Sequence, residues 1–204
     1  MRIPNAVHEA HPWRIREIAP DFTVEDVWAL PVRGRAGDFP EVLDILTTSD
    51  PTQTRSLPTR VLWGARDLLG RWFNLGRIST TADAAAGSLP IPGTSQTSLS
   101  ERLPVELQGT AADVRFDSLP FVPLFRTDDE FAAEISNRTV HGVLHLAWAK
   151  QGDDTYQAQL AVYVKPRGTL GRAYLAFIKP FRYLIVYPAL MRQVERQWSS
   201  RPSR

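Results

Sequence analysis

The sequence predicts an α+β fold in which a curved antiparallel sheet wraps around one long C-terminal helix. Two observations carry this prediction. Hydrophobic residues alternate with a period of two between residues 115 and 165, and apolar residues recur at helical spacing from Gly171 onward. A chain of 204 residues is expected to form a single domain with a sizeable core.

The N-terminal part predicts one strand followed by two or three helices. Trp13–Ile18 (WRIREI) is a short first strand. Thr23, with Asp26 three residues later, resembles a helix capping box, and Pro31 would end that helix. A similar capping signal at residues 38–41, directly before residues 42–46 (VLDIL), predicts a second helix.

A third helix is predicted from Pro58 to Phe73, because its apolar residues keep helical spacing. The composition then changes, and Ser79–Asp113 is dominated by Ser, Thr, Ala, Gly and Pro. Connections of this length are usually lids, binding loops or disordered segments. Two interpretations stay open for this loop: a lid over a site, or a surface insertion.

Four strands follow, at Arg115–Arg126, Glu130–Asn137, Thr139–Lys150 and Thr155–Lys165. Residues 151–154 (QGDD) join the last two as a hairpin. A hairpin centred between Gly152 and Asp153 places His145 opposite Gln159 and His141 opposite Tyr163. One face of the pair is apolar, and the other is mixed. The mixed face carries His141, His145, Gln157, Gln159 and Tyr163.

The C-terminal segment is amphipathic from Gly171 onward. One stripe of the helix is apolar and the opposite side is basic. The stripe consists of Tyr174, Phe177, Ile178, Phe181, Leu184, Ile185 and Pro188. Its longest uncharged run, Tyr183–Met191, is far shorter than the ~20 residues of a membrane span. No membrane span is therefore predicted.

Two prolines interrupt this helix. Pro180 and Pro188 each remove a backbone donor and should bend the helix or end a segment. Beyond Pro188 the charged residues Arg192, Glu195 and Arg196 occupy the formerly apolar side. Residues 192–204 are therefore expected to form a basic, solvated tail.

Composition excludes several classes of function. The chain has no Cys, so disulfides, thiolate nucleophiles and Cys-ligated metals are impossible, and a cytoplasmic location is favoured. The net charge is only +2, and all but three of the 24 basic residues are Arg. Without a block of like charges, nucleic-acid binding is not expected. The N-terminus lacks the apolar run of a signal peptide.

The candidate catalytic residues lie on the mixed face. His141 and His145 stand about 13 Å apart on one strand and cannot chelate one metal ion together. Each could act alone as a general base near neutral pH, with Glu134 reaching His141 to orient its imidazole and Tyr163 moving a proton. The alternative is that both histidines are structural and that Glu134 is an ordinary exposed strand carboxylate. Strand alternation places these histidines on the face opposite Leu144, Leu146 and Trp148. Because those three residues are apolar, the histidines are expected to face solvent.

Three stretches of the sequence resemble a known family. They are Glu130–Trp148, Leu160–Leu190 and, less distinctively, the opening RIPNAVHEAHPWRI. The chain resembles an uncharacterised bacterial family, domain of unknown function 2867, within the START-like and polyketide-cyclase-like superfamily of helix-grip folds. That resemblance implies a cavity between the sheet and the C-terminal helix for an apolar or amphipathic small molecule. Its expected lining is Tyr174, Phe177, Ile178, Phe181, Leu184, Ile185 and Trp148.

Three functions follow from these observations. The first is a small-molecule-binding protein of the bacterial cytoplasm, without a metal or organic cofactor. The second is a cyclase or dehydratase of polyketide-like substrates, in which some of His145, His141, Glu134 and Tyr163 move protons. The third is an interaction protein with a vestigial cavity, whose tail Arg192–Arg204 meets a partner. Fold analogy alone does not choose among them.

Overall fold

A computed structural model describes residues 1–48 and 98–201, apart from residues 118, 120, 137 and 138. Its centre is one six-stranded antiparallel sheet with the strand order β1-β2-β6-β5-β4-β3. The strands are β1 (Arg2–Ile3), β2 (Thr23–Gly34), β3 (Val122–Arg126), β4 (Glu130–Ser136), β5 (Val140–Lys150) and β6 (Tyr156–Pro166). The helices are α1 (Asn5–Glu9), α2 (Ile15–Ile18), α3 (Phe39–Thr48), α4 (Gly168–Phe181) and α5 (Tyr187–Ser199). The predicted α+β class is confirmed.

Two N-terminal predictions are wrong. Trp13–Ile18 contains the helical turn α2, not a strand, and the helix predicted at Thr23 is the long strand β2. In β2, pairing with β1 on one side and β6 on the other overrides the local capping signal. Pro31 lies where the β2–β6 register shifts, a bulge that tolerates the missing N–H.

The elements predicted from periodicity agree with the structure. Strands β4, β5 and β6 begin and end within a residue of the expected bounds, and α3 contains residues 42–46. Strand β3 is shorter than predicted. The predicted helix at Pro58–Phe73 lies outside the described residues, as does the first half of the Ser79–Asp113 loop. The described half contains two 3₁₀ turns, Leu99–Arg102 and Val105–Leu107.

The β5–β6 register differs from the prediction by two residues. His145 lies opposite Ala161 and His141 opposite Lys165. Because side chains alternate with a period of two, a shift of two leaves every residue on its expected face. His141, His145, Gln159 and Tyr163 therefore still share one face of the sheet.

Both faces of the sheet are covered. One face, here called the helix face, packs Leu144, Leu146 and Trp148 against α3 and α5. The other, here called the N-terminal face, is covered by residues 13–22 and 99–107. Every residue of β5 except Lys150 is buried as a result. The expectation that the histidines face solvent is wrong, because His141 and His145 are 1% and 0% exposed.

The C-terminal helix has three parts. A π-helical turn, Arg182–Val186, separates α4 from α5 and lies between the two prolines. Segment α5 packs on α3 and β2, with Val194 buried and Trp198 edge-on to Trp148. The first part of the predicted solvated tail, residues 192–199, therefore belongs to a packed helix. Within it, Arg192, Glu195 and Arg196 are exposed as predicted.

Segment α4 packs much less closely than α5. Gly171 is the one buried position in α4, all of whose residues are described, and a Cβ there would collide with the carbonyl oxygen of Thr139. Within the described part of the chain, no helix is long and apolar enough to cross a membrane.

Candidate functional sites on the two faces of the sheet

A chain of four buried polar side chains crosses the N-terminal face. Glu130 Oε2 lies 3.1 Å from His145 Nε2, and His145 Nδ1 lies 3.3 Å from His8 Nε2. His8 Nδ1 is 2.9 Å from Gln159 Oε1. Glu130 also accepts hydrogen bonds from the backbone N–H groups of Arg14 and Ile15, at 2.8 and 3.4 Å. The carboxylate thus fixes the start of α2 to the sheet.

A second carboxylate–histidine pair lies beside the first. Glu134 Oε2 is 2.8 Å from His141 Nε2, so Glu134 orients this imidazole and is not an exposed strand carboxylate. Glu134 also accepts from the Ser98 hydroxyl and from the Leu99 N–H, at 3.1 Å for the latter. This pair fixes the Leu99–Arg102 turn to the sheet, as Glu130 fixes α2.

The two pairs have the same geometry for a simple reason. Glu130 lies opposite Ala147 and Glu134 opposite Val143, so each glutamate reaches the histidine two residues along β5. Diagonal neighbours of this kind are within reach of long side chains. Sequence analysis missed Glu130 and His8. The signal for Glu130 was its spacing of four residues from Glu134, which matches the spacing of the two histidines.

Tyr163 and Trp13 complete the ring cluster around His8 and His145. The Tyr163 ring lies 5.9 Å from His145 and 6.2 Å from His8, and Trp13 stacks on His8 at 5.6 Å. Tyr163 Oη and Trp13 Nε1 are buried without a hydrogen-bond partner among the described residues. Burial, together with the neighbouring His145, lowers the pKa of His8 to about 4. Burial and Glu130 raise the pKa of Tyr163.

The helix face contains a different buried polar group. Asp26, which is 0% exposed, accepts from Arg182 Nη2 at 2.8 Å and from the Tyr187 hydroxyl at 2.5 Å. The Arg182 guanidinium also donates to the Tyr187 hydroxyl, at 2.6 Å. The π turn favours this contact, because its i→i+5 backbone hydrogen bond joins Tyr187 N–H to the Arg182 carbonyl. Burial raises the pKa of Asp26, while Arg182 opposes that shift.

Aromatic rings surround this buried group. Trp28 stacks on Tyr187 at 4.6 Å and meets Tyr183 edge-on at 5.6 Å. Trp28 Nε1 and Tyr183 Oη are shielded from solvent, and neither has a hydrogen-bond partner in the described part of the protein. Trp28 and Tyr183 themselves are only partly buried. Asp26, Trp28, Arg182, Tyr183 and Tyr187 are together called the helix-face site.

Two cations flank the helix-face site. The Arg2 guanidinium lies 5.4 Å from the centre of the Tyr183 ring, and Lys179 Nζ lies 5.8 Å from it. Lys179 is also paired with Glu25 at 3.0 Å. Arg2 is the direct cross-strand partner of Trp28, so both side chains project from the same face of the sheet. Sequence analysis identified none of the site's members as functional, and the helix predicted at Thr23 concealed Asp26 and Trp28.

The predicted ligand-binding residues occupy varied environments. Trp148 is buried, and its Nε1 donates to the Arg35 carbonyl at 2.9 Å. Phe177 and Leu184 are 52% and 76% exposed. The other four are partly exposed: Tyr174, Ile178, Phe181 and Ile185. The apolar stripe of α4 thus lies mostly at the surface, and a ligand-binding role for these residues stays a prediction.

The described residues contain no group of three or more His, Asp or Glu side chains arranged to hold a metal ion. His8, His145 and Glu130 are consecutive members of a hydrogen-bonded chain, so each is already engaged with the next.

The fold and these two faces define an α+β protein with buried polar networks on both sides of one sheet. The chain belongs to the family described as protein of unknown function, DUF2867, whose model matches residues 18–189. The match includes β2 to β6, the π turn and every residue of the helix-face site. Arg2, which flanks the site, lies outside the match. No curated protein and no solved structure matches the chain.

Proposed function

We propose that this protein binds an apolar or amphipathic small molecule between the sheet and the C-terminal helix, with the polar part of the ligand at the helix-face site. The main observation behind this proposal is a pair of buried donors, Trp28 Nε1 and Tyr183 Oη, that have no hydrogen-bond partner among the described residues. A buried donor left unpaired costs roughly 1–3 kcal/mol. A ligand that supplies an acceptor removes that cost.

The surroundings of these donors suit such a ligand. Small-molecule sites combine apolar and aromatic walls with a few fixed polar groups. Here Trp28, Tyr183 and Tyr187 supply aromatic surface, and Leu190 and Met191 add partly buried apolar surface nearby. Asp26 and Arg182 hold Tyr187 through short hydrogen bonds, so the polar floor is preorganised.

The proposal includes the finer fold assignment. We place the chain among helix-grip folds of the START-like, polyketide-cyclase-like kind, in which the ligand lies between the sheet and the C-terminal helix. The packing of α5 on β2 and α3, opposite the long strands β5 and β6, supports this assignment. A cytoplasmic location is part of the same proposal and is supported by the absence of Cys from the sequence. Its bacterial origin rests on the family resemblance alone.

The test is a titration with N-phenyl-1-naphthylamine, an uncharged probe whose fluorescence rises in apolar surroundings. Saturable binding at one site per chain is expected. Trp28→Leu should weaken it at least fivefold, because the ring that stacks on Tyr187 is lost. Leu184→Ser tests the competing location, since that side chain is 76% exposed and would matter only if the probe bound the outer stripe of α4.

The two variants separate the outcomes. Loss of binding in Leu184→Ser, with Trp28→Leu unchanged, would show that the probe adheres to the outside of α4. That result, or no saturable binding to the folded protein, would overturn the proposal. Circular dichroism on each variant establishes that it is folded.

The N-terminal face offers a second candidate function, acid–base catalysis. Its specific observation is the unpartnered Tyr163 hydroxyl beside His8 and His145. The binding proposal is favoured because both ring nitrogens of His145 are already engaged, with Glu130 and His8. Tyr163 and Trp13 are also 3% and 2% exposed, which leaves little access for a substrate.

A further inference from the structure

We infer that the ligand of the helix-face site is an amphipathic carboxylate, a molecule with an apolar body and one anionic oxygen-bearing end. This inference deepens the proposed function and rests on it. Three properties of the site lead to it: the balance of its charges, the kind of hydrogen-bonding group that it leaves open, and the occupation of its aromatic rings by cations.

The charges of the site leave one cation over. The Asp26 carboxylate is paired with Arg182 at 2.8 Å, and the Glu25 carboxylate with Lys179 at 3.0 Å. Arg2 forms no ion pair with any residue that the structure describes; its guanidinium lies against the Tyr183 ring, 5.4 Å from the centre. The field of Arg2 nevertheless reaches the site, where it acts on Asp26 to lower its pKa. A ligand with one negative charge would balance the set.

The open hydrogen-bonding capacity is of the donating kind. The Trp28 indole N–H can only donate, and the Tyr183 hydroxyl can donate as well as accept. Both atoms are shielded from solvent and lack partners among the described residues. A carboxylate accepts several hydrogen bonds, and bonds to a charged acceptor are about twice as strong as neutral ones. The carboxylate is therefore the functional group that best matches two donors and the Arg2 guanidinium.

A cationic ligand fits this site poorly. Clusters of Trp and Tyr often bind quaternary ammonium groups through the faces of their rings. Here Arg2 and Lys179 already lie within 6 Å of the Tyr183 ring centre, at 5.4 and 5.8 Å. A third cation would be repelled by both. The aromatic surface is thus left for the apolar body of the ligand.

The experiment compares three probes with the same ten-carbon chain: decanoate, 1-decanol and decyltrimethylammonium. Each is titrated calorimetrically into the full-length protein below its aggregation limit. Decanoate should bind at least tenfold more tightly than 1-decanol, because a hydrogen bond to a charged acceptor is about twice as strong as one to a neutral acceptor. Decyltrimethylammonium should bind more weakly than either.

Two variants locate the effect. Arg2→Gln should remove most of the tenfold preference for decanoate and leave 1-decanol binding unchanged. Trp28→Phe keeps an aromatic ring against Tyr187 but lacks the N–H, and should weaken decanoate about tenfold. Arg192→Gln, which removes an exposed positive charge elsewhere on the C-terminal helix, is the matched control and should change neither affinity.

The outcomes distinguish the two proposals. If 1-decanol and decanoate bind saturably with equal affinity, the carboxylate inference is overturned while the binding function stands. Preference for decyltrimethylammonium would overturn it in the same way. If none of the three probes binds the folded protein, both proposals fall. A preference for decanoate that survives Arg2→Gln but is lost in Arg192→Gln would place the site elsewhere and overturn the inference.

Discussion

The two faces of the sheet bury similar groups in different ways. Each has a buried carboxylate, and each leaves one indole N–H and one phenol hydroxyl without a partner among the described residues: Trp13 and Tyr163 on one face, Trp28 and Tyr183 on the other. On the N-terminal face the two residues are at most 3% exposed. On the helix face both are partly exposed, and beside them stands Arg2, a cation without an ion pair in the described part of the chain. Access and charge, not the number of unpaired donors, distinguish the proposed binding site.

The carboxylates also differ in what they hold. Glu130 and Glu134 accept backbone N–H groups and attach two covering segments to the sheet. Asp26 instead holds the side chains of Arg182, in the π turn, and of Tyr187, which follows it. A carboxylate that fixes backbone serves the fold, whereas one that orients an arginine and a tyrosine preorganises a site. The predictions below test this distinction, beginning with the largest expected effect.

Arg182→Leu should destabilise the protein by about 3–5 kcal/mol, because it leaves Asp26 buried without its cationic partner. Chemical denaturation monitored by tryptophan fluorescence measures the change. Arg192→Leu, at an exposed position of the same helix, is the control and should change stability by less than about 0.5 kcal/mol. Equal effects in the two variants would mean that the Asp26–Arg182 pair does not hold the C-terminal helix to β2.

Acid should destabilise the N-terminal face through His8. Its pKa is about 4 in the folded protein and about 6.5 when unfolded, so the unfolded chain binds the proton more readily. The protein therefore loses stability as the pH falls from about 6.5 to 4, by roughly 3 kcal/mol at most. His8→Gln should flatten this part of the stability–pH curve. Parallel curves for the two proteins would exclude a buried, neutral His8.

Glu130→Gln should destabilise the protein by roughly 2 kcal/mol, because His145 and two backbone N–H groups lose a charged acceptor. Hydrogen exchange should accelerate at Arg14 and Ile15 before it does so in β5. Glu106→Gln, at an exposed glutamate, is the control and should change neither quantity. Unchanged exchange at Arg14 and Ile15 in Glu130→Gln would contradict the attachment of α2 by this carboxylate.

The smallest effect is expected on the outer stripe of α4. Leu184→Ser should change stability by no more than about 0.5 kcal/mol, since Leu184 is 76% exposed. A loss of several kcal/mol, measured by the same denaturation experiment, would show that this side chain is covered in solution. The comparison of the faces would then need to include a third contact surface on α4.

Periodicity predicted the elements whose pattern is repeated along the chain. Strands β4 to β6, helix α3 and the amphipathic C-terminal helix follow from alternation or helical spacing. Strand β2 could not be predicted in this way, because Thr23 and Asp26 imitate a helix cap. The misassignment mattered for function, since Asp26 is the buried carboxylate of the helix-face site.

The site escaped prediction for a geometric reason. Arg182 lies on the basic side of an ideal α-helical wheel, and in the structure the π turn joins it to Tyr187 five residues later. Arg2 and Trp28 come together through a two-residue strand too short to show a period. On the N-terminal face, Glu134 and His141 were predictable because β4 and β5 are adjacent in sequence. His8 was not, because it meets β5 and β6 only in the tertiary fold.

The indole N–H resonances of Trp28 and Trp13 give the most direct test of the central claim that the helix face binds the ligand. Both groups are buried donors without a partner in the described structure, so each serves as the control for the other. In a ¹H–¹⁵N correlation spectrum recorded during titration with decanoate, the Trp28 indole signal should move downfield and saturate as the N–H gains an acceptor. The Trp13 signal should stay in place. A shift at Trp13 without one at Trp28 would place the binding site on the N-terminal face and contradict the account.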